Sequence, residues 1–145
     1  MKSRSLEREV VVRCSVERAF DAFVHRIDAW WPESHRKEPG STLGFEPRAG
    51  GRLLERFSSG VRELGVIEAW EPPTRLVYTW WPGALEQPTR VEVCFEMRGD
   101  ATRVAIIHSE GESGLGERWP ERAALFEKGW NAVLPAFVEH LKGAS

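Results

Sequence analysis

The sequence has few of the residues that build disulfide frameworks, metal centres or nucleotide sites. Its 145 residues include two cysteines, Cys14 and Cys94, which belong to no CxxC or other metal-ligand spacing, and four histidines without an HxxxH or HxH pattern. The glycines lack the GxxxxGKS/T and GxGxxG patterns that bind phosphates, and no GxSxG motif marks a nucleophilic serine. We therefore expect buried free thiols, no metal and no cofactor.

The sequence also has no large excess of positive or negative charge and no long apolar run. The 20 Lys and Arg residues balance 22 Asp and Glu residues for a net charge of −2, which argues against a nucleic-acid partner. No stretch reaches the roughly 20 apolar residues of a membrane-spanning helix, and the start of the chain shows no apolar signal-peptide segment. These features predict one cytoplasmic domain over residues 1–145 without a membrane span.

Tryptophan, by contrast, is abundant, with seven residues beside a single tyrosine. Because tryptophan buries a large surface and keeps one N–H that needs a partner, this excess indicates a large core, a ligand cavity or an interface. Trp70 and Trp81 are expected on the outer face of a predicted sheet, where a partner subunit would cover them. On that ground we expect a homodimer.

Apolar periodicity predicts an α+β chain that begins with a strand and a helical segment and ends with a long helix. Ser15 is the expected N-cap of the helical segment, which is either one helix or two short helices broken near His25 and Arg26. Short gaps with turn residues between successive strands indicate antiparallel hairpins and a meander. The predicted strands cover residues 6–13, 43–46, 52–57, 61–70, 75–81, 89–98 and 102–109, and the long helix covers residues 120–142.

Alternation in the last two strands places His108 on the inward face of the sheet. His108 has the parity of Val104 and Ile106, so it points towards the long helix or a cavity rather than towards water. A histidine there could orient the polar group of a ligand, act as an acid or base near neutral pH, or serve as a hydrogen-bonded structural residue. In the preceding strand, the residues predicted to share one face are Val91, Val93, Phe95 and Met97.

Several motifs along almost the whole chain carry a resemblance to a known family. They are SVERAF at 15–20, WWP at 30–32, RAGG at 48–51, GVIE at 65–68, PPTRLVYTW at 72–80, TRV at 102–104, IHS at 107–109 and GW at 129–130. In these segments the sequence resembles the bacterial AHSA1-like branch of the Bet v 1/START-like (SRPBCC) superfamily, a branch named after the activator of Hsp90 ATPase. The resemblance runs from about residue 10 to residue 141.

The resemblance implies a helix-grip fold with an internal cavity. In such a fold a curved antiparallel sheet of six to seven strands wraps around a long C-terminal helix, with short helices after the first strand. The cavity between sheet and helix holds apolar or amphipathic small molecules. For the strand at residues 75–81, two faces could point into the cavity. One carries Tyr78 and Trp80, and the other carries Val77 and Trp81. The candidate cavity residues are Trp30, Trp31, Trp80, Phe95, His108, Phe126 and Trp130.

Three functions follow from these observations. The first is non-catalytic binding of a hydrophobic or aromatic small molecule, because the sequence is rich in tryptophan and other apolar residues and has no catalytic motif. The second is a cyclase, dehydratase or hydrolase-like enzyme in which His108 and Glu68 transfer protons. The third is a protein-interaction module like the Hsp90 co-chaperone, but the chain corresponds only to the C-terminal type of domain of that protein. We therefore do not expect an Hsp90-type chaperone as partner.

Overall fold

Seven strands form one curved sheet in the computed structural model of the chain, which describes residues 5–81, 88–111, 113 and 115–143. The strands are β1 (Ser5–Val12), β2 (Thr42–Phe45), β3 (Arg52–Phe57), β4 (Gly60–Glu71), β5 (Arg75–Trp80), β6 (Thr89–Arg98) and β7 (Ala101–Ser109). The helices are α1 (Val16–His25), α2 (Ile27–Trp30) and α3 (Trp119–Gly143), with short 3-10 turns at Glu33–His35 and Gly116–Arg118.

The sheet is an open antiparallel meander that the first strand extends at one edge. Successive strands from β2 to β7 pair with one another, and β1 pairs with β7, which gives the order β1-β7-β6-β5-β4-β3-β2. The pairing of β1 with β7 brings together residues far apart in the sequence, such as Val10 and Val104. The predicted α+β helix-grip fold is therefore confirmed, with seven strands in the sheet and the long helix at the C-terminal end.

The helical segment after β1 consists of two short helices, which decides between the two alternatives left by the sequence. Ser15 caps α1, because its hydroxyl oxygen accepts a hydrogen bond from the backbone N–H of Arg18 at 3.1 Å. The break falls at Arg26, whose φ of −120° and ψ of 23° lie outside the helical range. Helix α2 then directs Trp30 inward, where its indole N–H donates to the carbonyl of Ala22 at 2.8 Å.

Aromatic side chains from three helices join in the core beneath the sheet. Phe137 of α3 lies 5.5 Å from Phe23 of α1 and 5.0 Å from Trp30 of α2, measured between ring centroids and with edge-to-face geometry. Phe23 in turn contacts Phe95 of β6 at 6.0 Å. These contacts bury the apolar stripe of α3 and hold that helix across the sheet.

The prediction for Trp70 was wrong. Its ring is half-buried and packs edge-on against Phe20 at 5.4 Å, on the core side of the sheet. The reason is a β-bulge between Ile67 and Ala69, which inverts the alternation of the following residues. Trp81 is 40% exposed, and the homodimer stays a prediction.

Met97 shares the face of Phe95, as predicted, because the register between β6 and β7 is unbroken, but its side chain is 70% exposed whereas Phe95 is buried. Met97 lies two residues closer to the hairpin turn between β6 and β7, and no contact of its side chain with the core is found among the described residues. Within the same residues, no helix has the length and apolar character of a membrane-spanning segment.

Candidate functional site

A cavity of about 200 Å³ opens between α3 and the strands β5 and β7. Its wall is mainly aromatic and contains no lysine, arginine, aspartate or glutamate among the described residues. Leu125 and His35, both exposed, lie at its edge. The lining residues are Trp31, His35, Tyr78, Trp80, His108, Leu125, Phe126, Gly129, Trp130 and Val133.

The segment after α2 contributes one wall of the cavity. Trp31 is buried, and its indole N–H donates to the carbonyl of His35 at 3.2 Å. Its ring lies 5.9 Å from that of Trp80 on β5, so a helix end and a strand bring two indoles together. The position of this wall therefore depends on what fixes the polar segment that follows Trp31.

Arg36 fixes the segment through several hydrogen bonds at once. Its guanidinium is only 6% exposed and donates to the carbonyls of Trp31, Asp28 and Ser41, at distances from 2.6 to 3.2 Å. It also donates to the Asp28 carboxylate at 2.7 Å. Because a guanidinium carries five N–H donors in one plane, a single side chain can hold all of these acceptors.

Glu55 of β3 anchors the same segment to the sheet. Its buried carboxylate accepts hydrogen bonds from the backbone N–H of Lys37 at 2.7 Å and from the Ser41 hydroxyl at 2.6 Å, and it pairs with Arg62 at 2.7 Å. Burial alone would raise the pKa of Glu55, but the hydrogen bonds from Ser41, Lys37 and Arg62 outweigh it and hold the pKa below its usual value. The carboxylate is therefore a structural anchor.

His108 lies within a continuous hydrogen-bond chain that runs from Trp130 to the backbone of Trp80. The indole N–H of Trp130 donates to His108 Nδ1 at 3.0 Å, so His108 Nδ1 is an acceptor. The proton of the neutral ring must then be on Nε2, which donates to the Thr89 hydroxyl at 2.9 Å. Thr89 in turn donates to the carbonyl of Trp80 at 2.9 Å. Both nitrogens of His108 are thereby used inside the protein.

This environment keeps His108 neutral. Burial lowers the pKa of His108 to about 3, because a charged imidazolium would lose its hydration there. Protonation would also place a new N–H on Nδ1 directly opposite the indole N–H of Trp130. Phe126 stacks on the ring at 4.2 Å between centroids. Of the three roles open from the sequence, the hydrogen bonds and the lowered pKa favour the structural one.

We expect the neutral state of His108 to make stability depend on pH. The unfolded histidine takes up a proton near pH 6.5, whereas the folded one does not until about pH 3. Stability from this group is therefore complete well above pH 6.5 and decreases as the pH falls through 6.5, by about 2 kcal/mol between pH 7.5 and pH 5. Urea unfolding at pH 7.5, 6.0 and 5.0 checks the slope, which His108→Gln should reduce and His35→Gln should not.

The structure places five of the seven predicted cavity residues around the opening. Trp31, Trp80, His108, Phe126 and Trp130 line it. The other two, Trp30 and Phe95, do not line it, because their rings pack within the core. Trp30 lies against Phe23, and Phe95 against Phe20 and Phe23.

Sequence reasoning missed five lining residues: His35, Tyr78, Leu125, Gly129 and Val133. Of the two possible faces of β5, the one that carries Tyr78 and Trp80 lines the cavity. On α3 the signal was the helical spacing, because Gly129 and Val133 lie three and seven residues after Phe126.

Glu68 does not meet His108, and the proposed proton-transfer pair is therefore wrong. Glu68 lies on the outer face of β4, where its carboxylate accepts from Arg90 at 2.8 Å. Arg90 neighbours Val91 on β6, and Val91 lies beside the inward-facing His108. Because successive residues of a strand point to opposite faces, the Glu68–Arg90 pair and His108 lie on opposite sides of the sheet.

The two thiols are free and half-buried, and burial raises the pKa of both Cys14 and Cys94. A raised pKa lowers the fraction of reactive thiolate at neutral pH. In the described part of the chain, no group of three histidine, cysteine or acidic side chains could hold a metal ion. The polar chemistry of the cavity therefore rests on its aromatic N–H and O–H groups.

The sequence profile described as Activator of Hsp90 ATPase homolog 1-like protein matches residues 13–142. The chain belongs to this family. The match covers the segment from just after β1 to the last turn of α3, and it confirms the resemblance carried by the motifs. No curated protein sequence matches the chain.

Solved structures extend the likeness over the whole fold. Protein NE0264 from Nitrosomonas europaea is 15% identical, with 97% of this chain and 96% of that chain covered and a TM-score of 0.69. Txn09, described as an anthrahydroquino-gamma-pyrone synthase, is 30% identical over 94% of this chain and 96% of its own, with a TM-score of 0.62. DynU16, a protein of the dynemicin biosynthetic locus, is 17% identical over 99% of this chain and 49% of its own, with a TM-score of 0.73.

Proposed function

We propose that this family member binds an uncharged aromatic small molecule in the cavity between α3 and the sheet, without transforming it. The observation that carries the proposal is the wall itself, which presents the rings of Trp31, Trp80, Phe126 and Trp130 to one space. Among the described residues, no Lys, Arg, Asp or Glu lines that space. Such walls stabilise flat apolar rings by burial and by offset or edge-to-face ring contacts.

The size of the cavity narrows the ligand class. A volume of about 200 Å³ exceeds the roughly 150 Å³ of an engineered apolar cavity that holds benzene. One or two fused rings with small substituents therefore match the space. A carboxylate does not, because no lysine or arginine among the described lining residues would offset the loss of its hydration.

The proposal that the cavity performs no chemistry depends on how its polar groups are used. His108 is the buried histidine of the wall, and both of its nitrogens are engaged by Trp130 and Thr89. Its lowered pKa makes it a poor base at neutral pH. Glu68, the other candidate, lies on the opposite face of the sheet.

A second candidate function is a cyclase- or synthase-like reaction in the same cavity. The 30% identity with Txn09, whose description names a synthase, favours it. Because the lining residues that the structure describes contain no free acid–base pair, such catalysis would act by folding and orienting a reactive chain rather than by moving protons. A time-dependent change in the mass of a polyketide-like ligand incubated with the protein would favour this candidate over simple binding.

Calorimetric titration with 2-isopropenylnaphthalene, an uncharged two-ring hydrocarbon, tests the binding function. We expect saturable one-to-one binding with a Kd in the micromolar range, as befits a small apolar ligand. The matched control is 2-naphthoate, which has a similar shape but carries a charge and should bind at least tenfold more weakly. Absence of saturation by the hydrocarbon, or equal binding of both compounds, would contradict the proposal.

A further inference from the structure

We propose that Tyr78 is the specificity-determining residue of the cavity, and that its hydroxyl selects flat aromatic ligands that carry a carbonyl oxygen, such as aryl ketones and quinones. This inference rests on the proposed binding function and names the chemical class of its ligand. It depends on how the hydrogen-bonding groups of the wall are distributed.

Most polar groups in the wall already have partners. The indole N–H of Trp31 is bound to a carbonyl, and that of Trp130 is bound to His108. Both nitrogens of His108 are occupied as well. His35 lies at the exposed edge, where water can reach its ring. These groups therefore offer nothing to the buried part of a ligand.

The Tyr78 hydroxyl is different. Tyr78 lies in the middle of β5, between Ile67 of β4 and Val91 of β6, and is 1% exposed. Its ring is held edge-on by Phe45, with the centroids 5.2 Å apart. Within the described part of the chain, its hydroxyl makes no hydrogen bond to any other group. Because Tyr78 lines the cavity, a ligand acceptor that reaches this hydroxyl gains a hydrogen bond inside the protein, and with it affinity.

The available groups are donors, which points to an acceptor on the ligand. Burial raises the pKa of the Tyr78 hydroxyl, so it keeps its proton at neutral pH. Trp80, two residues along the same strand face, carries an indole N–H that can only donate and has no partner among the described residues. A carbonyl oxygen has two lone pairs and no charge, so it can accept from these donors without the desolvation cost of a carboxylate.

The test compares two ligands that differ at one atom. In 2-acetonaphthone the carbonyl oxygen takes the place of the terminal CH₂ of 2-isopropenylnaphthalene, and the shape is otherwise nearly the same. With the wild-type protein, we expect the ketone to bind about tenfold more tightly than the hydrocarbon in calorimetric titrations. With Tyr78→Phe, we expect the two ligands to bind within about twofold of each other. The hydrocarbon should bind both proteins equally, which also shows that the variant is folded.

The outcomes separate this inference from the proposed function. If the hydrocarbon saturates the wild-type protein but the ketone has no advantage, or keeps its advantage in Tyr78→Phe, the role of Tyr78 is refuted and the binding function stands. If neither ligand saturates the wild-type protein, the binding function fails and the inference fails with it. A preference for the ketone that disappears in Tyr78→Phe supports both.

Discussion

Gly129→Leu is expected to abolish binding of the hydrocarbon probe without unfolding the protein. Gly129 lies on the cavity face of α3, and a Cβ added there would meet no atom within 4 Å. The leucine side chain would therefore grow into the cavity and take the place of the ligand. Because glycine inside a helix costs about 0.5–1 kcal/mol relative to alanine, the substitution also removes an unfavourable residue.

We expect the Kd of 2-isopropenylnaphthalene to rise at least thirtyfold in Gly129→Leu, which corresponds to about 2 kcal/mol. The midpoint of thermal unfolding should stay equal to or above that of the wild type. Ala132→Leu is the matched control, because Ala132 is exposed on the same helix and its substitution should leave binding unchanged. Unaltered binding by Gly129→Leu would show that the ligand does not occupy the space beside this residue.

Arg36→Met is expected to cause a large loss of stability. The arginine side chain is 6% exposed and holds the carbonyls of Trp31 and Ser41 together with Asp28. Methionine preserves much of the aliphatic stem but removes every donor. Several partly buried acceptors would then lack partners, at a total cost of about 2–4 kcal/mol.

Urea unfolding at pH 7.5 measures this effect, and Arg26→Met provides the comparison. Arg26 also forms an ion pair, with Asp21 at 3.2 Å, but its side chain is 64% exposed. Exposed pairs contribute little, so we expect Arg26→Met to change stability by less than about 0.5 kcal/mol. Equal losses for the two variants would mean that Arg36 acts as an ordinary surface charge rather than as the anchor of the segment behind Trp31.

Most of the fold could be predicted from the sequence, because local patterns determine it. Alternating apolar residues in β6 and β7, turn residues between strands and the apolar stripe of α3 each indicated the element that the structure contains. Two details, the facing of Trp70 and the exposure of Met97, come from features that alternation cannot reveal. The bulge after Ile67 inverted the facing of Trp70, and the exposure of Met97 depends on which neighbours reach the end of the hairpin.

The candidate site was less predictable, because it depends on distances between elements. Parity indicated that His108 points inward, but its role is set by Trp130 and Thr89, which are distant in the sequence. Trp30 and Phe95 had the right residue type for a cavity wall, yet the packing of α1 and α3 closes the space around them. Helical spacing places Gly129 on the same face as Phe126, but only the structure shows that open space lies beside it.

The indole region of the ¹H–¹⁵N NMR spectrum offers the most direct test of the binding site. Each tryptophan contributes one indole N–H signal, which single Trp→Phe variants assign. On addition of 2-isopropenylnaphthalene, we predict saturable shifts for Trp31, Trp80 and Trp130, which line the cavity, and an unchanged signal for Trp70, which packs against Phe20. If the three cavity signals do not move, or if Trp70 alone responds, the cavity between α3 and the sheet is not the ligand site.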